Sequence, residues 1–367
     1  MKVLIINQHV SDVLGGSEMQ CDLIARGLSG RGHQVVYGAV RKRKDSYPGL
    51  PYRVVPLAIE RRGELAGLLR RERPDVIYWR IHKRHLLQAV RESRREGVPL
   101  VFAVSHVNDV TRFPLIPRRD LPGAVPRISA MVRTARHWIT SAWNYRGFRH
   151  VAAVTTLNSQ FLGKLPVENQ RVIWNGVSPR SEPFTWDRPF CIWVANIKPA
   201  KQPELFIRLA GVMADRCPGT DFLMIGAVQD EQYRAVIQLA GEMPNFHYLG
   251  PRAPEMVNGA LEKAICLVHT CKPEGFGNNF IQAWMQGCPT VTLGFDPDWL
   301  IMREGLGFVS GTMDRLIHDV ESLIHDRALR DSIGDRARAF GHANFSPERM
   351  VGELEMFLRE VIDAHHR

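Results

Sequence analysis

The sequence predicts an α/β protein made of two doubly wound parallel sheets that face each other across a cleft. Three observations carry this. Short apolar runs alternate with helical patterns through most of the 367 residues, the rhythm of βαβ units whose sheets are covered on both faces. The rhythm breaks once, at the polar, proline-bearing stretch from Asn175 to Pro183, and then restarts. Hydrophobic residues make up 45%, enough for two cores and too many for a disordered chain.

Taken in order, Lys2–Asn7 reads as a buried strand, Glu18–Leu28 as a helix and Gln34–Val40 as the next strand. Pro74–Trp79, Val98–Val104, His150–Leu157 and Gln170–Trp174 are further strands, with a helix over His85–Glu96. Beyond the break, Phe190–Ala195 is a strand, and Lys201–Asp215 is a helix with Leu205, Phe206, Leu209 and Met213 at core spacing. Asp221–Ile225, Asn245–Leu249, Ile265–His269 and Pro289–Leu293 continue the second sheet. Pro347–Ala364 is helical, with Met350, Leu354, Phe357, Leu358 and Ile362 on one face. The expected domains are residues 1–180, residues 181–346 and a terminal helix over 347–367.

The opening Met1-Lys2-Val3-Leu4-Ile5-Ile6-Asn7 turns polar too quickly for a signal peptide, and no stretch nears the ~20 apolar residues of a membrane span. A cytoplasmic protein is the expectation. The six cysteines (Cys21, Cys191, Cys217, Cys266, Cys271, Cys288) form no CxxC pair and sit mostly in apolar runs, as small buried hydrophobes do in a reducing compartment. The net charge of +10 is unevenly spread. Residues 1–150 carry 27 Lys and Arg against 12 Asp and Glu, whereas the remainder carries 21 against 26. An anionic partner for the first half follows from that asymmetry.

Three constellations carry chemistry. Gly15-Gly16-Ser17-Glu18 follows the first strand: the glycines permit close backbone approach, and Ser17 is placed to cap a helix whose N-terminus favours an anion. An ordinary turn explains it equally well. In Asn196-Ile197-Lys198-Pro199-Ala200-Lys201-Gln202-Pro203-Glu204-Leu205 a strand runs into a loop with two lysines at the sheet's carboxyl end, where a lysine can neutralise a diphosphate leaving group; the bland alternative is a solvated loop. The most specific is Glu274-Gly275-Phe276-Gly277-Asn278-Asn279-Phe280-Ile281-Gln282-Ala283-Trp284. Here a glycine-flanked loop opens a helix, and the amides of Gly277–Phe280 are available to an anion. A buried helix explains Phe280, Ile281 and Trp284 but not Glu274 or the paired asparagines.

The order GGSE, a strand ending near His106, WNGV at the break, the K-P-x-K-x-P-E-L loop and EGFG…QAW…GCPTV resembles family 4 of the retaining glycosyltransferases, which have the GT-B fold. The resemblance spans nearly the whole chain, is strongest over residues 190–310, and is closest to exopolysaccharide members whose motif reads like EGFPNTFIQAW. It implies a metal-independent transferase with no cofactor that moves a sugar from a nucleotide diphosphate donor, UDP before GDP. The acceptor would be a saccharide or lipid-linked saccharide, and the terminal helix would pack toward the first domain. His106, Lys201 and Glu274 would be the catalytic residues: a histidine at the sugar face, a lysine on the diphosphate and a glutamate on sugar hydroxyls. Gly15, Gly16, Asn196, Lys198, Gly277, Asn278, Asn279, Phe280 and Gln282 would line the donor site. Two positions depart from the family pattern, since Asn196 replaces an arginine and Gln282 the second glutamate of E-x7-E.

From Arg112 to Arg149 the chain interleaves arginine with aromatic and aliphatic residues, among them Arg112, Arg118, Arg119, Arg133, Arg136, Trp138 and Trp143. This suits anionic lipid headgroups or a lipid-pyrophosphate acceptor and predicts a peripheral position on the inner face of the plasma membrane. The bland alternative is solvated arginines over core aromatics. Asp296-Pro297-Asp298 has the form of a metal-binding DxD but reads better as a turn, and no metal is expected. Rival readings are a soluble small-molecule acceptor, a silent sugar-binding homologue and a nucleotide-sugar epimerase. A nucleic-acid partner is disfavoured because no helix-turn-helix, finger or RNA-binding signature appears.

Overall fold

The computed structural model describes residues 1–13, 15–40, 47–114, 127–271 and 275–367, with the side chains of 127–131 and 133 outside that description. It forms two compact units, Met1–Gly176 with Pro347–Arg367, and Val177–Ser346. The chain leaves the first unit at Gly176, four residues before the expected boundary at 180, and re-enters it at Pro347.

In the first unit β1 (Lys2–Asn7), α1 (Gly16–Gly30), β2 (Gln34–Val40), β3 (Arg53–Leu57), α2 (Glu64–Glu72), β4 (Val76–Trp79), α3 (Leu86–Arg95), β5 (Leu100–Ala103), α4 (Arg127–Tyr145), β6 (Ala153–Thr156) and β7 (Gln170–Val172) follow in turn. The seven strands are all parallel, in the order β3-β2-β1-β4-β5-β6-β7. Val3 to Ile6 are fully buried, as a strand covered on both faces requires. Alternate residues feed two cores: Leu4 and Ile6 join one face with Ile77 and Phe102, while Val3 and Ile5 join the other with Cys21, Ile24 and Leu28 of α1. The edge strand β3 has no counterpart in the sequence reading. Its exposed Arg53 and its Pro56 break the apolar run, and an edge is where a sheet tolerates proline.

The second unit contains β8 (Phe190–Val194), α5 (Pro203–Arg216), β9 (Asp221–Ile225), α6 (Gln232–Ala240), β10 (Phe246–Gly250), α7 (Pro254–Lys263), β11 (Leu267–His269), α8 (Asn278–Met285), β12 (Thr290–Thr292), α9 (Leu300–Glu304), β13 (Gly307–Val309), α10 (Met313–His325) and α11 (Arg327–Asn344). Its sheet is parallel, in the order β10-β9-β8-β11-β12-β13. The helix expected from Lys201 starts instead at Pro203. A proline disfavours helical backbone in the residue before it, and Gln202 takes φ 48°, which separates α5 from a 3-10 turn over Pro199–Lys201. The chain then returns to the first unit as α12 (Pro347–His366), which packs against α1 and places Met350, Val351, Leu354, Phe357, Leu358 and Val361 in the core behind it.

Candidate functional site

In the second unit two elements converge on the carboxyl end of β8. Past Val194 the chain stays tied to the sheet: Ala195 N donates to Ile225 O (3.1 Å) and Ile197 N to Ala227 O (2.8 Å), with half-buried Asn196 between them. The turn carrying Lys201 is fastened by Thr270, just after β11. Its Oγ1 is shared between the carbonyls of Lys201 and Gln202 (3.0 Å each) and accepts from Trp193 Nε1 (3.0 Å). Lys198, in extended backbone, opens the same turn, and Lys201 closes it half-buried.

The second element is the start of α8. Gly277 is the residue before the helix, at φ 92°, a conformation that favours glycine. Asn279 Nδ2 donates to Val194 O (3.0 Å), which fastens the first turn of α8 to the end of β8. The other end of α8 is closed by α11. Arg338 Nη2 donates to Gln286 O (2.8 Å) and His342 Nε2 bonds Met285 O (3.0 Å). Gly341 lets the two backbones touch, since a Cβ there would lie 2.8 Å from Met285 N. Trp284, fully buried, packs edge-on against Phe276 and Phe340 and tilted against Phe280 and Phe345. The helix is thus anchored along its length, and its positive end opens beside the lysine turn.

Two expected contributions differ. The Phe280 amide is already spent on Gly277 O (3.3 Å) and Asn279 Oδ1 (3.1 Å), so it leaves the set that could meet a phosphate. Gln282 donates through Nε2 to Asn258 Oδ1 (2.9 Å), and Asn258 Nδ2 in turn donates to Ser178 O and Arg180 O (3.0 and 2.6 Å). Glu274 lies outside the described residues. The Asp296-Pro297-Asp298 turn serves a helix: the Asp296 carboxylate accepts from Ile301 N (2.9 Å) and Met302 N (3.2 Å) at the start of α9.

In the first unit His106 follows β5 and is exposed. Its Nδ1 accepts from Asn108 N (3.0 Å), which leaves the ring proton on Nε2. Buried Asp109 accepts from Ser105 N (3.2 Å) and His106 N (3.0 Å), and burial holds its carboxyl above the usual range against those two amides. Lys83, also buried, donates to Asn108 O (2.5 Å) and Thr111 O. Burial brings its amine down to about 8, with Asp109 opposing. The loop presenting His106 is therefore pinned from beneath.

Gly15 caps α1 and Gly16 begins it, but Ser17 does not cap. Lying one residue inside the helix, its hydroxyl accepts from Asn7 Nδ2 (3.0 Å) and donates to Arg80 O (3.3 Å). Glu18 folds back over the glycines, so that a Cβ on Gly15 would lie 2.3 Å from Glu18 Oε2, and burial raises its pKa. The chain's own carboxylate thus stands where an anion was expected.

Comparison with known proteins decides the class. Residues 14–181 match the model described as Glycosyltransferase Family 4, and residues 178–340 match Glycosyl transferases group 1. The chain is a glycosyltransferase of the GT-B type. Among solved structures it is similar to sucrose-phosphate synthase from Thermosynechococcus elongatus, at TM-score 0.78 and 14% identity over 99% of this chain and 100% of that one. A glycosyltransferase from Rickettsia africae ESF-5 gives TM-score 0.73 and 11% identity over 98% of each chain. WaaG, a glycosyltransferase involved in lipopolysaccharide biosynthesis, gives 0.70 and 13% over 96% of this chain and 98% of that one. At such identities the likeness is one of fold. No curated protein matches the sequence.

One residue of this transferase escaped the sequence reading. Arg80, directly after β4, is only 4% exposed; Nη1 donates to Tyr78 Oη (3.2 Å) and Nη2 to Asn175 Oδ1 (2.6 Å), both uncharged partners. A charged residue at the carboxyl end of an all-apolar strand was the available signal. The transferase's basic stretch leaves Arg118 and Arg119 outside the described residues, and Arg133 is placed on α4 without its side chain. Arg112, Arg136, Trp138 and Trp143 are exposed, together with Ile139 (70%) and Phe113 (50%). Arg146 lies over the Trp143 ring (5.1 Å) and Arg112 over Phe113 (5.3 Å). Among the described residues no helix is long and apolar enough to cross a membrane.

Proposed function

We propose that this enzyme transfers a sugar, with retention of anomeric configuration and without a metal, from a nucleotide diphosphate sugar to a saccharide or lipid-linked saccharide acceptor. The carrying observation is the fastening of the Lys198–Lys201 turn and the α8 N-terminus to the same strand end, through Thr270 and Asn279. A cation and a helix N-terminus side by side are what a departing diphosphate requires: both act on charge that develops in the transition state and need no reorganisation when it forms. Lys201 is the diphosphate residue in this reading, and Lys198 adds the positive charge that Asn196 does not supply. His106, with its proton on Nε2, donates to the transferring sugar. UDP is the preferred carrier, as the family resemblance suggests.

The acceptor reading rests on the first unit. The exposed Ile139, Trp143 and Phe113 beside Arg112, Arg136 and Arg146 suit an anionic bilayer, which would bring a lipid-linked saccharide to the enzyme. WaaG, one of the structures with this fold, is described as acting in lipopolysaccharide biosynthesis.

Lys201→Ala tests the centre of the proposal. Loss of one preorganised donor of this kind costs ~100- to 1000-fold in kcat, and the variant should unfold at the wild-type temperature. Near-normal turnover by Lys201→Ala sinks the assignment. Retention is read from the anomeric proton of the first product formed, and an inverted anomer overturns it. Cosedimentation with anionic vesicles should fall with added salt; no binding at low salt removes the membrane part alone.

A further inference from the structure

We propose that Cys217, Glu321 and His325 form a three-ligand site for a borderline-soft divalent cation, zinc by its chemistry, that clips the end of α5 to α10. Nothing in the transferase reading uses these residues. Cys217 follows α5 directly and is held by its amide, which donates to Met213 O (2.8 Å), while its carbonyl accepts from Thr220 N (3.0 Å). Glu321 and His325 lie four apart on α10, hence on one face of the helix. One ligand atom from each lies within 4.8 Å of the other two.

The decisive distance is 3.5 Å between Cys217 Sγ and His325 Nε2. With Zn–S of ~2.3 Å and Zn–N of ~2.0–2.1 Å, a tetrahedral angle sets sulfur and nitrogen ~3.5–3.6 Å apart. Two ligands therefore already occupy one edge of the polyhedron, and Glu321 needs a side-chain adjustment to complete a face. A thiolate and a carboxylate balance the two positive charges, with imidazole neutral. This sulfur–nitrogen–oxygen set selects zinc or a similar ion over magnesium and calcium. The exposed side of His325 leaves the fourth position to water. The competing partner is Arg216, whose Nη1 stands 3.5 Å from Glu321 Oε2 and is half exposed, free to swing into solvent. Ligation takes the thiolate, so the ion must displace the Cys217 proton and binding should strengthen as pH rises.

The clip would join positions 108 apart in sequence. Bridges over long loops remove the most freedom from the unfolded chain. Its ligands come from a helix end and a distant helix, so no short motif announces it.

Cobalt is the probe. Chelator-washed protein titrated with Co2+ should bind one equivalent, with a thiolate-to-cobalt charge-transfer band and the strong visible bands of a tetrahedral ion. Added Zn2+ should bleach both and raise the Tm. Cys217→Ser should lose the charge-transfer band. His325→Ala, at an exposed position, should weaken binding at least tenfold and keep the wild-type circular dichroism spectrum. Weak octahedral bands only, a charge-transfer band that persists in Cys217→Ser, or unchanged affinity in His325→Ala each overturn the proposal.

Discussion

Restoring a carboxylate at position 282 is expected to weaken this protein, although the family pattern has glutamate there. Gln282 Nε2 donates to Asn258 Oδ1 at 2.9 Å, and Asn258 cannot turn to offer its amide because Nδ2 already serves the carbonyls of Ser178 and Arg180. Gln282→Glu sets acceptor against acceptor. One hydrogen bond is lost and buried Asn258 Oδ1 is left without its donor, a cost of ~1–3 kcal/mol. For a unit the size of Val177–Ser346 each kcal/mol moves Tm by ~2–4 °C. The variant should therefore melt ~2–12 °C below wild type at neutral pH. The sign of the pH dependence follows from the same contact. Facing Asn258 Oδ1, the glutamate's folded pKa lies above its unfolded value of ~4.3. The penalty is thus present above the folded pKa and gone below the unfolded one, where a protonated glutamate donates as glutamine does. Differential scanning fluorimetry at pH 7 and again near pH 4 checks both parts. Equal melting at pH 7, or a deficit unchanged in acid, refutes the reasoning.

Three further expectations concern other parts of the molecule. Gly226→Ala would place a Cβ 1.8 Å from Ala195 O at φ 153°, against backbone that cannot yield; soluble protein should be lost, whereas Gly219→Ala, with nothing within 4 Å, should express and melt as wild type. Glu18→Gln should raise Tm at pH 7, because burial opposes the charged form. With a folded pKa above 4.5, the wild-type residue regains its stability as pH falls, so the advantage should vanish below 4.5; a gain that persists there defeats this account. Thr270→Val strips the acceptor from buried Trp193 Nε1 and the anchor from the Lys201 turn. Urea denaturation should show a loss of ~1–3 kcal/mol, and kcat of the folded variant should drop as well.

Much of this fold was legible because parallel strands covered on both faces read as continuous apolar runs, as in Lys2–Asn7 and Asp221–Ile225. Two of the four edge strands, β3 and β13, were not. Arg53–Leu57 contains Pro56, and Gly307–Val309 is three half-buried residues opened by a glycine, so neither stands out from a loop. In the site, Lys198, Lys201 and the α8 N-terminus were visible as motif residues, since a glycine before an apolar helix is a local signal. What decides their roles is not local. Thr270 reaches Lys201 across 69 positions, and Asn279 reaches Val194 across 85. Ser17 looked like a cap, yet a neighbouring strand supplied Asn7 as a partner. Arg80 carries a local signal, its place directly after the apolar β4, but its burial and its bonds to Tyr78 and Asn175 are set by the fold.

The return of α12 to the first unit bears on how the molecule is made. Six side chains of α12 complete the core behind α1 and the first sheet. On the ribosome the first unit therefore waits, its α1 face uncovered, until residues 347–367 have emerged. The second unit has every strand and helix by Ser346 and needs none of residues 347–367 to complete its core. A released chain truncated after Ser346 should carry a protease-resistant second unit beside a first one that is still open to cleavage.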